Sequence, residues 1–196
     1  MKKFLLYLLM AATPMTAMSC DKNDLGSGTV EPNPDTKVLI VYYSWSGITK
    51  AVAERMQRTL QCDIYQIIPA DPYPTDGNAT HFRAVEERES GNMPVLVGEL
   101  PDISSYSLIL IGGPVWSDLI ATPLLAYIRQ TDLTGKEVAP FWTDAGTPGR
   151  YKEDFTENAR NSGAIVLQEL GLTRPTSMGT ERLDKRLNTW LNSFNL

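Results

Sequence analysis

Three hydroxyl side chains and one glycine fall within the stretch Ser44-Trp45-Ser46-Gly47-Ile48-Thr49, directly after an apolar run over 38–43 and directly before a helical pattern. Hydroxyls, free backbone amides and a helix N-terminus together make an anion nest: amides point inward, the helix dipole favours negative charge, and hydroxyls donate further bonds. Phosphate is the group such a loop suits. No cation is required, although Lys50 stands close by. Rival phosphate loops are excluded. No G-x-G-x-x-G follows the first apolar run and no G-x-x-x-x-G-K-[ST] occurs in the chain. A Cys-x5-Arg loop starting at Cys62 would need arginine where Ile68 stands. His81 is the one histidine, and Cys20 and Cys62 are the two cysteines, which excludes a disulfide framework and an ordinary Cys/His zinc site. Chemistry here calls for a borrowed cofactor.

In open α/β sheets ligands bind at the carboxyl ends of the strands, so the loop needs a parallel sheet behind it. The sequence supplies one. Runs over 38–43 and 108–111 are apolar throughout and rich in β-branched residues, as in strands buried on both faces. Further strands are expected over 63–68, more mixed and so near an edge, and over 138–142 and 164–167. Pro140 cannot donate to a ladder and predicts a bulge or a short strand there. Between the strands stand helical patterns: Val52, Ala53, Met56 and Leu60 on one face, a weak one over 78–90, and Tyr151, Phe155 and Ala159 every four residues. Leu183, Leu187, Trp190, Leu191 and Phe194 mark a closing helix. Thr122-Pro123 reads as an N-cap followed by proline at the first helical position. Five strands alternating with five helices make a doubly wound α/β domain over 37–196.

The 196 residues suit one domain, and 42% hydrophobic with 21% charged residues is a globular composition. A formal charge of −5 does not favour nucleic acid as partner. The first nineteen residues pair a basic start, Lys2-Lys3, with a short apolar run and small residues, as secretory signals do. Cys20 after Ala17-Met18-Ser19 resembles the lipobox of bacterial lipoproteins, with alanine where that motif has leucine. The resemblance implies acylation at Cys20, export and a lipid anchor on a cell-envelope membrane, the only membrane contact expected. Plain secretion and an unprocessed cytoplasmic protein are the alternatives. The polar stretch over 20–36 then serves as a tether.

The loop Y-S-W-S-G-I-T resembles the FMN-phosphate loop of flavodoxins, and two further segments strengthen the likeness. Ile111-Gly112-Gly113-Pro114-Val115-Trp116 is similar to that family's G-x-P-x-W segment, and Pro140 to Thr147 to its P-F-x-T-x-G-G-[ST] stretch. Arg83-Ala84 with Glu87 and Pro94 resembles a pattern of its short branch. The likeness implies a five-stranded parallel sheet of order 2-1-3-4-5 with helices on both faces, and FMN as cofactor. Ser44, Ser46, Gly47, Ile48 and Thr49 would hold the phosphate. Pro114, Val115, Trp116, Thr143, Asp144 and Gly146 would frame the ring, and Trp45 would flank the ring or cover the loop. Ser117, Asp118 and Ala145 depart from the family's pattern, and an Asp118 carboxylate near the ring would lower its potential. Gly112-Gly113-Pro114 is expected to turn sharply beside the ligand, and Trp116 to serve as ring contact rather than core. The implied function is electron transfer, to or from a redox partner protein, or reduction of a small acceptor. The alternatives are an NAD(P)H-dependent quinone or flavin reductase and a flavin-free binding module. Trp142 is read as core, Cys62 as an inert small hydrophobe and His81 as a surface residue.

Overall fold

The computed structural model describes residues 36–196; the residues read as a signal segment, Cys20 and the stretch read as a tether, up to residue 35, lie outside them. Seven strands occur, β1 (Val38–Tyr42), β2 (Asp63–Gln66), β3 (Leu108–Trp116), β4 (Leu119–Ile120), β5 (Glu137–Asp144), β6 (Ile165–Val166) and β7 (Leu170–Thr173). They alternate with α1 (Ile48–Leu60), α2 (Gly77–Ser90), α3 (Thr122–Gln130), α4 (Tyr151–Asn161) and α5 (Thr180–Leu191). The parallel order is β2-β1-β3-β5-β6, with β7 also pairing β5 and β4 pairing β3 antiparallel. This is the expected doubly wound sheet, with the fifth position shared by β6 and β7.

The central strands are apolar on both faces because both are covered. Leu39, Val41, Ile109, Ile111, Val138 and Trp142 face one core with α3 and α4, through residues such as Leu124, Tyr127 and Phe155. Ile40, Leu108, Leu110 and Phe141 face the other with Val52, Met56, Leu187 and Trp190 of α1 and α5. Arg55 and Asp184 join those two helices by a two-pronged ion pair. Cys62 packs beside this second core, and burial pushes its thiol up to about 11, so it stays protonated and inert at neutral pH.

Three expectations need correction. Pro140 neither bulges nor shortens its strand: β5 runs eight residues and pairs β3 without a break across Ile111↔Pro140. The Val138 carbonyl accepts from Leu167 N–H at 2.8 Å and the Asp144 carbonyl from Arg174 N–H at 2.7 Å, so even-numbered residues of β5 face the β6–β7 side. Pro140 therefore turns its missing N–H to the gap between β6, paired at 137–138, and β7, paired at 141–144. The neighbour is interrupted instead of the strand. Second, β3 continues through Gly112-Gly113-Pro114 to Trp116. A Cβ on Gly112 would stand 2.5 Å from the Phe141 ring, and one on Gly113 3.0 Å from Leu124 Cδ2. These glycines admit close packing, and the chain turns only at Ser117-Asp118. Third, Ala121 is the N-cap of α3, and the Thr122 hydroxyl donates to Glu87 instead of capping.

Candidate functional site

After β1 the chain crosses to β2 on one side, and after β2 it crosses back to β3 on the other. The carboxyl ends of β1 and β3 therefore flank a switch point, where open sheets leave a crevice for ligands. The hydroxyl-rich loop lies there. Tyr43 N–H donates to the Gly112 carbonyl at 3.0 Å and fixes where the loop leaves the sheet. Ser44 is half-buried, while Trp45, Ser46 and Gly47 are exposed. Gly47 is the N-cap of α1 at φ 85, with no side chain capping the helix and no acid in its first turn. An added Cβ would meet nothing within 4 Å, so the positive φ, not space, calls for glycine. The first intrahelical bond is Ala51 N–H to the Gly47 carbonyl at 3.0 Å. The amides of Ile48, Thr49 and Lys50 are thus left for an acceptor outside the helix, at the positive end of its dipole. Lys50 leans toward Glu54 at 3.8 Å, so the local positive potential comes chiefly from the backbone.

Thr49 lies beneath this loop, 1% exposed, with its Oγ1 2.8 Å from Oγ1 of Thr143 at the end of β5. Two hydroxyls sharing one hydrogen bond keep one O–H free to donate elsewhere, so the pair retains a proton for an anion above it. It also joins the loop to the far wall of the crevice. Thr49→Val should cost about 1 kcal/mol in urea unfolding, because the buried Thr143 hydroxyl loses its partner, and Thr49→Val/Thr143→Val should recover most of it. Simple additivity of the two losses would show that the hydroxyls are not coupled.

The opposite wall is the loop after β5. Asp144 is buried, with one carboxylate oxygen accepting Gly146 N–H at 2.9 Å and the other accepting the Thr173 hydroxyl at 3.0 Å. Arg174 Nε donates to the Ala145 carbonyl at 2.6 Å. The Asp144 side chain is therefore committed to shaping its own loop, and exposed Ala145, Gly146 and Thr147 present backbone to the crevice.

The third wall belongs to β3. Pro114, Val115 and Trp116 are half-buried. Trp116 meets Tyr43 edge-on at 5.4 Å, Trp45 edge-on at 6.3 Å and Tyr73 at 4.8 Å between ring centroids. Half of the ring packs against the margin of a core and half stays open to solvent. Trp45 is pinned by its indole N–H to the Pro74 carbonyl at 2.9 Å. Beyond Trp116, Ser117 (φ 49) and Asp118 (φ 64) form a two-residue turn into β4, both left-handed as a type I′ hairpin requires. The Asp118 carbonyl accepts Arg150 N–H at 2.7 Å, and His81 Nδ1 stands 2.6 Å from Ser117 Oγ. His81 is on the surface, as expected.

Behind Trp116 lies an acid to which the sequence reading gave no role. Glu87 is 9% exposed; it accepts Arg83 Nε at 2.8 Å, the Thr122 hydroxyl at 2.5 Å and the Tyr73 hydroxyl. The Arg83 guanidinium lies 3.9 Å over the Tyr73 ring and also holds the carbonyls of Asp71 and Pro72. Burial and the neighbouring Glu87 raise the Tyr73 hydroxyl well above the ordinary tyrosine range. Tyr73 was missed in the sequence; its signal is an aromatic between two prolines, Pro72 and Pro74, in a loop at a strand's carboxyl end.

The profile of the family described as Flavodoxin matches residues 37–192. A flavoprotein of Lactobacillus acidophilus, solved in complex with FMN, is 30% identical over 80% of this chain and 99% of its own, with a TM-score of 0.66. The apo-form of the flavoprotein of that organism is 32% identical over 72% of this chain and 95% of its own, at a TM-score of 0.56. A protein of Bacteroides eggerthii described as a candidate flavoprotein is 26% identical over 82% of this chain and 99% of its own, at a TM-score of 0.69. No curated protein matches the chain.

Proposed function

This chain belongs to the flavodoxin family, and from that premise we propose that it is an electron-transfer protein carrying FMN in the crevice between its phosphate loop and its aromatic wall. One observation carries the reading: an uncapped helix N-terminus, opened by left-handed Gly47 and lined by Ser44 and Ser46, faces half-buried Trp116 across a switch point. The donor set fits a phosphate dianion, and the aromatic side fits a planar apolar ring. Bound FMN would supply one- or two-electron redox chemistry, and the protein supplies binding, orientation and electrostatics. Backbone amides of Ile48, Thr49 and Lys50, opened by Gly47, with the Ser44 and Ser46 hydroxyls would bind the phosphate. Pro114, Val115 and Trp116 hold one side of the ring. Thr143 anchors the loop that Asp144 shapes, and the Gly146 backbone closes the other side. Exposed Asp118, on the hairpin tip, adds negative charge to that rim.

Titration of the purified protein should yield one flavin per chain with a perturbed visible spectrum. FMN should bind at least about tenfold more tightly than riboflavin, since a charge-assisted hydrogen bond contributes about 1.5–3 kcal/mol. Ser46→Ala should weaken FMN roughly tenfold and leave riboflavin unchanged. Equal affinity for the two flavins would remove the phosphate assignment, and a colourless protein that takes neither would remove the function. A carrier should exchange electrons with reduced viologen yet not oxidise NADPH directly; NADPH turnover would mark a reductase. We also propose export as a lipoprotein acylated at Cys20, on the resemblance of its N-terminal stretch. Mass spectrometry of the native protein should find a lipidated Cys20 as first residue, and an unmodified Met1 would refute it.

A further inference from the structure

The loop that closes one side of the crevice, over 144–147, is buttressed by the two residues that end and follow β7. Thr173 Oγ1 donates to an Asp144 carboxylate oxygen at 3.0 Å, Arg174 N–H to the Asp144 carbonyl at 2.7 Å, and Arg174 Nε to the Ala145 carbonyl at 2.6 Å. The backbone that allows this is unusual. Arg174 stands at φ 47 and ψ 55, a left-handed conformation that a residue with a Cβ adopts only at a cost. Its place is held from the other side as well. Pro175 is buried directly after it, and Ser177 N–H donates to the Arg174 carbonyl at 2.9 Å to close a 3-10 turn. A Cβ built on Gly146 would stand 4.0 Å from Arg174 Nη2, so the guanidinium lies alongside the backbone assigned to the flavin ring. Arg174 joins none of the ion pairs among the described residues. Asp144 spends its two carboxylate oxygens on Gly146 N–H and the Thr173 hydroxyl. A carbonyl partner orients the Arg174 cation without neutralising it.

We infer that Arg174 is a positioning residue for the flavin wall, and that its cation favours the reduced flavin over the oxidised one. The inference rests on the FMN reading above. Two electrons from a reductant and one proton from solvent turn the neutral ring into an anion at neutral pH. A fixed positive charge behind the wall stabilises that added negative charge and does little for the neutral ring. Asp118, on the hairpin tip across the crevice, acts in the opposite sense. The two walls therefore carry charges of opposite sign, and the potential follows from their balance. The fork of Arg174 has a second effect: by holding the Ala145 carbonyl it fixes the backbone on which Gly146 meets the ring.

Potentiometric titration of the FMN-loaded chain with dithionite reads the charge. Arg174→Gln should bind reduced FMN roughly three- to tenfold more weakly relative to oxidised FMN, a fall of about 15–30 mV in the two-electron midpoint. Added salt should shrink the difference, since Arg174 is exposed. Arg174→Lys keeps the cation and loses the planar fork, so most of the potential should remain. Hydrogen exchange in the flavin-free chain reads the fork. The Gly146 amide, held by Asp144, should exchange faster in both Arg174 variants. Arg160→Gln, an equal loss of charge in the last turn of α4, should alter neither measurement. An unmoved potential in Arg174→Gln, a shift matched by Arg160→Gln, or unchanged exchange at Gly146 overturns the inference. So does an affinity loss equal for the two redox states, which would make the residue a prop with no electrostatic role. A chain that takes no FMN fails the electron-transfer reading instead, and exchange at Gly146 in the flavin-free variants still decides whether Arg174 holds the loop.

Discussion

Gly112→Val should destabilise the flavin-free domain by about 3 kcal/mol, at the upper end of what overpacking costs, and lower its thermal midpoint by roughly 6–12 °C. The cause is local. A Cβ at this position stands 2.5 Å from three atoms of the Phe141 ring, and both residues sit in central strands, paired directly as Gly112↔Phe141. Neither strand can yield, because β3 is paired on both sides, to β1 and to β5. Phe141→Leu in the same chain should recover part of the loss by vacating the ring's volume. The sequence alone suggested another role for Gly112, a sharp turn letting backbone approach a ligand. On that account the valine variant would fold normally and bind flavin poorly. Urea unfolding without flavin, alongside flavin titration, separates the two.

Glu87→Ala should cost about 2–3 kcal/mol, less than the loss of a fully buried ion pair because Arg83 keeps some solvent. The side chain of Arg83 is 22% exposed and that of Glu87 11%. Removing the carboxylate takes a shared acceptor from Tyr73 and Thr122, whose hydroxyls are left with each other at 2.8 Å. The effect should reach the crevice, since Tyr73 packs on Trp116 and Arg83 fastens the 71–72 backbone. Near-ultraviolet circular dichroism of the aromatics should flatten, and flavin affinity should fall with it. Glu87→Gln should do less, about 1 kcal/mol, because both hydroxyls can turn to accept from the amide while Arg83 loses only its counter-charge. A Glu87→Ala chain with unchanged stability and aromatic signal would show that the acid is ornamental to the wall.

What the sequence made legible follows from how each signal arises. Continuous apolar runs report strands covered on both faces, so β1 and the first half of β3 were plain. The mixed composition of 63–68 placed β2 at an edge, where it is. Gly112-Gly113-Pro114 masked the second half of β3, because one residue type serves both turns and close packing, and only the facing ring decides. Pro140 was weighed as a defect of its own strand, when the adjustment lies in the neighbour. Thr122 and Asp144 carry side chains that suit a cap or a ligand, and tertiary partners claimed both. For the site, the hydroxyl-rich loop lies between β1 and α1, as its place in the chain implied, and Thr49 is buried beneath it. Trp142 is core, as its position within a strand implied. Tyr73 and the role of Glu87 left little trace, since a polar network assembled from a loop and two helices has no spacing in the chain.

The unequal lengths of the strands have a consequence for life at high concentration. β3 and β5, in the middle, run nine and eight residues, whereas the outer positions hold four residues in β2 and only two and four in β6 and β7. The gap opposite Pro140 keeps β6 and β7 from fusing into one outer strand. Arg186 further covers the Gly171 carbonyl at 2.6 Å. A sheet grows into fibrils by adding chain after chain along an unbroken border of free amides and carbonyls. Here the borders are too short and too interrupted to template a neighbour. Among the described residues the two longest strands, β3 and β5, are paired on both sides within the sheet and offer no free border.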